Sequence, residues 1–384
     1  MASASAPPAT PLPARFLTTT RNHHRLQNLL MSQPSPPPPA PSFATPLPQS
    51  PRSPVLEWRF PKPYSQYVLT GRSRAAWHTS FVVPQLNLLL DAGLCVNKLR
   101  PKHVFLTHGH SDHTLLAPAF VKRDDPPDVV CPREMAPAFD DFVLANMMLN
   151  LGGLVRVGDA AAQGLAVEGG GERGDEAGGE GDSDDGSGRR QRSAEERAWL
   201  GTHVTHGVSP GDEVPLRRAK GITARVFACE HTVPCVGYVF SQTTHRLRPE
   251  LASLPGPELK RLREASETSP SAPSITEPHT APIFAFLGDT TAATLAAAPA
   301  WLRAGIPVVV TECSFLREEH AGQAERTKHT LWRDLEPVVR RWPRTTFVLM
   351  HFSLRYSDAE VARFFRDMKD VPPNIVVWAD PEAE

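Results

Sequence analysis

The stretch Phe105–Thr114 reads FLTHGHSDHT and gathers metal-binding side chains on a short turn directly after an apolar run. Its potential ligands are His108, His110, Asp112 and His113. A structural zinc site would draw largely on cysteines, and the chain has no pair of cysteines at the required spacing of about two to four residues. The pattern therefore predicts the dinuclear zinc centre of a hydrolase. An accidental histidine cluster in a solvated loop is the alternative.

The composition indicates a single large domain with unfolded segments. The 384 residues include 40 prolines, many of them near the start of the chain. The five cysteines are odd in number and scattered, which argues against a disulfide framework and for a reducing compartment. No apolar run approaches the length of a membrane span, about 18–20 residues, so we expect no membrane association.

The N-terminal region, residues 1–60, is predicted to be disordered and to resemble a transit peptide. Residues 1–56 contain no Asp or Glu but carry Arg15, Arg21, Arg25 and Arg52. The Ser and Pro bias favours the chloroplast over the mitochondrion. A start at Met31 would give a shorter form for the cytosol or nucleus, and an untargeted tail is a further alternative.

The remainder, residues 61–384, is predicted to form one domain with a disordered acidic insertion at about 166–198. Short apolar runs alternate with amphipathic helical stretches, which predicts an α/β fold with helices packed outside the sheets. Strands are expected at Phe81–Val83, Leu86–Leu90, His103–Thr107, Asp128–Val130, Thr223–Phe227, Gly237–Phe240, Ile283–Leu287, Pro307–Thr311, Thr345–His351 and Asn374–Trp378. Helices are expected at Glu134–Met148, Thr294–Ala304, Leu331–Arg341 and Asp358–Lys369, the last capped by Ser357.

Four more potential ligands lie at or just beyond the ends of apolar runs, namely His231, Asp289, Glu312 and His351. Each alone is more typical of a hydrogen-bonded surface residue, a cap or a turn. Together they supply the imidazoles and the bridging carboxylate that a two-zinc site needs. Such a site keeps a positive charge that suits a phosphodiester, although a carboxyl ester or thioester is also possible.

The motifs resemble the tRNA 3′-end processing endonucleases (tRNase Z) of the metallo-β-lactamase superfamily, specifically the short form found in plants. The resemblance runs from about residue 67 to the end. Its most diagnostic segment is His351-Phe-Ser-Leu-Arg-Tyr356. The other matching segments are Asp91-Ala-Gly-Leu, the His108–His113 turn, His231-Thr-Val-Pro-Cys-Val-Gly-Tyr238, Leu254-Pro-Gly-Pro-Glu-Leu-Lys-Arg-Leu, Leu287-Gly-Asp-Thr-Thr, Glu312-Cys-Ser-Phe and Lys328-His-Thr.

The resemblance implies an αββα sandwich with a protruding exosite arm, and it implies a role for each matching residue. Two Zn²⁺ would bind each subunit, the first to His108, His110 and His231, the second to Asp112, His113 and His351, with Asp289 bridging both. Asp112 would also orient the attacking water. Glu312 and His329 would form a proton relay, with His329 protonating the leaving oxygen; from the residues alone, His329 reads as a helix cap.

The implied arm covers about residues 245–264, with a flexible linker to about residue 280. The cations of the arm would bind precursor tRNA, and they are Arg246, Arg248, Lys260, Arg261 and Arg263. A further arginine in the last motif, Arg355, would bind it as well. The short forms act as homodimers in which one subunit's arm serves the other's site. Read without the resemblance, the segment is also consistent with a solvated helix of mixed charge.

The leading hypothesis is hydrolytic removal of 3′ trailers from precursor tRNA after the discriminator nucleotide. The net charge of −1 requires that RNA binds through a local patch. One alternative is a metallo-hydrolase of small molecules on the same fold, a thioesterase or cyclic phosphodiesterase. Another is a non-catalytic RNA-binding relative, which would be expected to have lost ligands. The family usually has a lysine where this chain has Ala228, which removes a positive charge near the metals.

Overall fold

The computed structural model describes residues 43–50, 53–96, 100–121, 125–150, 200–268 and 273–382. Most of the predicted transit peptide and all of the predicted acidic insertion lie outside these residues. The predicted boundary at residue 60 is placed too late, because Phe43 is buried and Ala44 bridges to Val376 near the end of the chain. The prediction failed there because the partners of these residues are more than 300 positions away, and local composition carries no sign of them.

The first sheet contains eight described strands in the order β1 to β8. Neighbours from β1 to β5 are antiparallel, and those from β5 to β8 are parallel. The strands are β1 (Leu47–Pro48), β2 (Leu56–Arg59), β3 (Val68–Arg74), β4 (His78–Val83), β5 (Leu88–Leu90), β6 (His103–Phe105), β7 (Asp128–Pro132) and β8 (Val204–Val208).

The second sheet contains seven described strands in the order β15 to β9. Here β9 to β12 are antiparallel and β12 to β15 are parallel. The strands are β9 (Glu213–Pro215), β10 (Ile222–Cys229), β11 (Cys235–Leu247), β12 (Thr276–Phe286), β13 (Val308–Glu312), β14 (Thr346–Met350) and β15 (Ile375–Val377).

The described helices are α1 (Ser111–Thr114), α2 (Ala136–Asn150), α3 (Gly256–Thr268), α4 (Ala293–Ala296), α5 (Ala300–Arg303), α6 (Ala321–Thr327), α7 (Trp332–Arg341) and α8 (Asp358–Arg366). The single helix predicted over residues 294–304 is two short helices, because Pro299 lacks the N–H that a continuous helix would require. Ser357 caps α8 as predicted, accepting a hydrogen bond from the Glu360 amide. Within the described ranges no helix combines the length and the apolar character needed to cross a bilayer.

The two sheets face each other across an apolar core, and the helices cover their outer surfaces. Phe81 and Phe105 from the first sheet meet Tyr238 and Phe286 from the second in edge-to-face contacts. Helix α2 packs on the outside of the first sheet, and α7 and α8 pack on the outside of the second. The predicted αββα sandwich is confirmed.

The parallel strands bring their carboxyl ends to one edge of the sandwich. The chain leaves β5, β6, β12, β13 and β14 at this edge, and every candidate ligand except His231 follows or ends one of these strands. His231 lies in the tight loop between β10 and β11. The fold therefore assembles one polar site from residues that are distant in sequence.

Candidate metal centre

The first cluster contains three imidazole nitrogens that converge on one point. His108 Nε2 lies 3.1 Å from His110 Nδ1, and His231 Nε2 lies 3.3 Å from the same atom. Asp289 Oδ2 faces this group at 3.7 Å from His108 Nε2 and 3.9 Å from His231 Nε2. These four residues form one group whose donor atoms are close enough to share a cation.

The second cluster lies on the other oxygen of the same aspartate. Asp289 Oδ1 is 3.3 Å from His113 Nε2 and 3.4 Å from His351 Nε2. Asp112 Oδ2 completes this group at 3.3 Å from His351 Nε2 and 3.5 Å from His113 Nε2. The two clusters therefore share Asp289, and each of its oxygens faces a different one.

The far nitrogen of four of the rings faces an acceptor, which leaves the near nitrogen as the one that can bind a metal. His113 Nδ1 donates to Asp91 Oδ2 at 2.8 Å, and His231 Nδ1 to the Lys328 carbonyl at 3.3 Å. His108 Nδ1 lies 3.0 Å from the Thr107 hydroxyl, and His351 Nδ1 lies 3.0 Å from the Ser314 hydroxyl. Such outer contacts fix the tautomer in which Nε2 can coordinate a metal.

The spacing of these atoms fits metal coordination. Ligands bound tetrahedrally at about 2.0–2.1 Å from Zn²⁺ lie about 3.3 Å from one another, close to the separations in both clusters. Asp289 Oδ1 is buried and has no hydrogen-bond partner among the described residues. Converging imidazole nitrogens and a buried carboxylate oxygen without a hydrogen-bond partner are costly to bury, and a bound cation would satisfy both. The residues present thus fit a pair of metal ions.

The protonation states favour cation binding in the first cluster. Burial lowers the pKa of His108, His110 and His231, which keeps these rings neutral. Burial alone would raise the pKa of Asp289, but His351 and His113 outweigh it and hold the pKa well below its usual range. Burial also lowers the pKa of His113, but Asp289 and Asp91 raise it above its ordinary value. A cation in the second cluster would compete with that proton.

A second pair of titratable residues, Glu312 and His329, adjoins the clusters. Glu312 is fully buried at the end of β13, and its Oε1 accepts a hydrogen bond from His329 Nδ1 at 2.8 Å. Burial lowers the pKa of His329, but the charge of Glu312 and the hydrogen bond to it raise the pKa to about 9. The ring stacks on His351 with centroids 5.5 Å apart. His329 is thus a protonated group beside the clusters, with Nε2 left free by the described residues.

No role was predicted for three residues that organise the site, although Asp91 and Ser314 lie in segments that match the family. Asp91 follows β5, is fully buried, and accepts hydrogen bonds from His113 Nδ1 and from the Thr107 amide, each at 2.8 Å. Ser314 Oγ donates to Glu312 Oε2 at 2.6 Å while facing His351 Nδ1. The position of Asp91 directly after an apolar run was an available signal. Ser314 and Thr107 gave none, because their role depends on contacts made only in the folded chain.

The residues predicted to form the arm lie on an extension of the β11–β12 hairpin, and their role as an exosite stays a prediction. Strands β11 and β12 stay paired as far as Leu247 and Thr276, well beyond the part of β12 that pairs with β13. Helix α3 lies between these two strands in the sequence and has no buried side chain. Lys260 pairs with Glu264, and Arg263 pairs with Glu267, just beyond the predicted segment. Arg248 contacts Glu250, whereas Arg246 and Arg261 form no ion pair with any described residue.

Arg355 lies outside the hairpin extension, shortly after a candidate ligand. It is four residues after His351, exposed, with Nη2 donating to Gln323 Oε1 at 2.8 Å and its guanidinium 5.7 Å from the centre of the Phe315 ring. The structure therefore brings together the seven predicted ligands and the predicted relay pair, while the predicted RNA-binding cations lie apart on the hairpin extension and at Arg355. Their roles as ligands, acid and RNA contacts stay predictions.

Comparison with known proteins identifies the type of domain. Residues 91–211 match the family model of the metallo-β-lactamase superfamily, so the chain carries a metallo-β-lactamase domain. The chain is 24% identical over 305 residues to the chloroplastic tRNase Z TRZ2 of Arabidopsis thaliana, covering 77% of this chain and 70% of the relative. It is 21% identical over 302 residues to tRNase Z TRZ1 of the same plant, covering 77% of this chain and 88% of the relative. These similarities confirm the resemblance drawn from the motifs.

Among solved structures, the short form of human tRNase Z (ELAC1) aligns with 74% of this chain and 92% of its own at 13% identity and a TM-score of 0.40. That likeness is too distant to carry an argument about function.

Proposed function

We propose that this chain, which carries a metallo-β-lactamase domain, is a zinc-dependent endoribonuclease that removes 3′ trailers from precursor tRNA. Hydrolysis would occur after the discriminator nucleotide and leave a 3′-hydroxyl on the tRNA and a 5′-phosphate on the trailer. The proposal rests on one observation above all: the two oxygens of Asp289 face two separate groups of imidazole nitrogens beside a Glu–His pair. The similarity to plant tRNase Z proteins supports the choice of substrate.

The residues of the site divide the work of hydrolysis. Zinc ions held by the two clusters would offset the charge of the phosphodiester and acidify the attacking water. Asp112 accepts a hydrogen bond from the Ala76 amide on its Oδ2 at 3.0 Å and would orient that water. Glu312 holds the Nδ1 side of His329, so His329 can deliver the proton on Nε2 to the departing 3′ oxygen.

The hairpin extension would grip the substrate away from the cut. Arg246 and Arg261 are exposed cations without a described acidic partner, which leaves them available to phosphates. Lys260, Arg263 and Arg248 contact glutamates and would have to exchange those contacts for RNA. Because the extension projects from its own subunit, we further propose a homodimer in which each arm serves the partner's site, to be tested by light scattering of the full-length protein and of a form lacking Leu254–Arg263.

A precursor-cleavage assay tests the central proposal. Zinc-loaded full-length protein, incubated with a precursor tRNA carrying a 3′ trailer, is expected to release one fragment with a 5′-phosphate and a mature tRNA ending in a 3′-hydroxyl. Asp289→Ala removes the carboxylate shared by both clusters and should abolish cutting and lower the zinc content. Asp128→Ala is a matched control, because it removes a similarly buried aspartate that bonds His206 at 2.8 Å at the far end of the sandwich. An intact precursor after excess wild-type enzyme would refute the proposal.

We also propose that the residues before Phe43 direct the protein to the chloroplast, as suggested by their composition and by the chloroplastic relative TRZ2. A fluorescent protein fused to these residues should accumulate in plastids. The matched fusion beginning at Met31 should remain in the cytosol or nucleus. Mitochondrial fluorescence of the longer fusion would contradict the assignment.

A further inference from the structure

Trp77 is an exposed aromatic residue at the rim of the metal centre. Its side chain is 63% exposed, whereas the other tryptophans that the structure describes are buried or half-buried. It lies in the turn between β3 and β4, beside Ala76, whose amide binds Asp112. A residue with so large an apolar surface loses free energy by facing water, so its exposure next to a catalytic site points to a partner that covers it.

The turn that carries Trp77 is fixed to the site at several points. The Ala75 amide donates to the carbonyl of Phe352, the residue after His351, at 3.2 Å. The Trp77 amide closes the turn on the Arg74 carbonyl at 3.2 Å. One side of the indole lies against the buried ring of His78, with centroids 4.6 Å apart. The backbone and one side of the ring are thus held in place.

The strand below this turn carries an excess of positive charge. Arg72 and Arg74 both bind a single carboxylate, that of Asp358, at 2.7 Å and 2.6 Å. The two guanidinium groups outnumber the one carboxylate, and because their side chains are only 13% and 5% exposed, they supply a positive potential at this end of β3 and not a free surface cation. Single-stranded nucleic acid binds where an exposed aromatic ring lies in a region of positive potential, because the bases stack on the ring and the potential attracts the phosphates.

We propose that Trp77 is a substrate-binding residue on which one unpaired base of the RNA stacks, within a nucleotide or two of the scissile phosphate. The inference rests on the proposed endonuclease function and adds a contact to it. Bases of a single-stranded trailer are free to leave the stack and lie on an aromatic side chain. Stacking accepts every base, so this contact would hold trailers of different sequence.

The test pairs variants of Trp77 with substrates that lack one base. The kcat/KM of wild-type protein and of Trp77→Ala is measured on the intact precursor and on three abasic precursors. These lack the base of the discriminator, of the first trailer nucleotide or of the second trailer nucleotide. We expect Trp77→Ala to lower kcat/KM on the intact precursor by about 5- to 150-fold, the range measured for loss of one stacked base. At one of the three abasic positions, kcat/KM of the wild type should fall by about the same factor. At that position, kcat/KM of Trp77→Ala should not fall further. Trp77→Phe should retain most of the activity.

Three controls separate the possible outcomes. Leu47→Ala truncates another exposed apolar residue, 72% exposed, and should leave kcat/KM unchanged. Hydrolysis of bis(p-nitrophenyl) phosphate and the zinc content should be the same in wild type and Trp77→Ala. If small-diester hydrolysis falls as much as RNA cleavage, Trp77 acts through Asp112 and the inference is wrong. Equal abasic losses in both proteins at every position also overturn it, whereas failure of the wild type to cut any precursor refutes the proposed function itself.

Discussion

Replacing Asp91 by Asn should weaken the second metal cluster selectively. In the native site, one oxygen of Asp91 accepts the Thr107 amide and the other accepts His113 Nδ1, each at 2.8 Å, so both oxygens face donors. Asparagine keeps the shape but turns one of these oxygens into an NH₂ donor. Whichever way the amide is oriented, a donor then faces a donor in a fully buried place.

The two orientations have different costs. If the NH₂ group faces the Thr107 amide, a buried donor is left unsatisfied, which costs about 1–3 kcal/mol of stability. If it faces His113, the ring can recover the hydrogen bond only by moving its proton to Nε2, the atom that points at Asp289. Loss of an outer partner of a metal-ligating histidine typically weakens metal binding by about 10- to 100-fold. We expect this second result, because His113 can change tautomer and a backbone amide cannot.

A competition titration with a chromophoric chelator measures the two zinc affinities separately. Asp91→Asn should show one affinity lowered by about 10- to 100-fold and the other close to that of the wild type. Asp128→Asn is the matched control, because it alters a similar aspartate–histidine contact remote from the clusters and should destabilise the chain without changing zinc affinity. Two wild-type affinities in Asp91→Asn would show that its hydrogen bond to His113 does not set the tautomer.

Further predictions concern the acid, the arm and the second cluster. His329→Ala should lower the rate of cleavage by about 10²- to 10⁴-fold with unchanged zinc content; normal turnover would remove it from the relay. A general acid works only when protonated, so the rate of wild-type cleavage should fall as pH rises through the pKa of His329. That pKa lies at or below about 9, because bound cations nearby would lower it. The fall in rate at high pH should be absent in His329→Ala. Arg246→Gln combined with Arg261→Gln should weaken precursor binding and reduce the slope of log affinity against log salt by about 1.4–1.8, with small-diester hydrolysis unchanged; an unchanged slope would exclude phosphate contacts. His351→Ala should leave one zinc per subunit, and two retained equivalents by metal analysis would contradict its role.

Strands and ligands that depend on local pattern could be predicted from the sequence. The buried central strands are short apolar runs, and polar residues at their carboxyl ends meet at one edge of the sandwich whatever the detailed packing. This rule is sufficient to place Asp289, Glu312 and His351 at the site. It requires only the order of apolar runs along the chain.

Features that depend on distant partners could not be predicted in this way. Strand β3 contains Arg72 and Arg74, and no local pattern marks such a segment as largely buried. It is buried because it pairs with β2 and β4 and because Asp358, 284 residues beyond Arg74, binds both guanidinium groups. The hairpin extension was inferred only through the family resemblance, since its exposed strands carry no apolar alternation. Ser314 and Thr107 were missed because single hydroxyl groups act through geometry alone.

The sharing of one metal centre between the two halves of the sandwich also constrains when this protein can become active during its synthesis. His113 and His351 face each other at 3.4 Å across a separation of 238 residues. A nascent chain that has exposed only its first sheet therefore lacks Asp289, His329 and His351, and both clusters are incomplete. Under the proposed function, a fragment that ends before β14 should therefore be inactive in the precursor-cleavage assay and should bind zinc more weakly than the full-length chain.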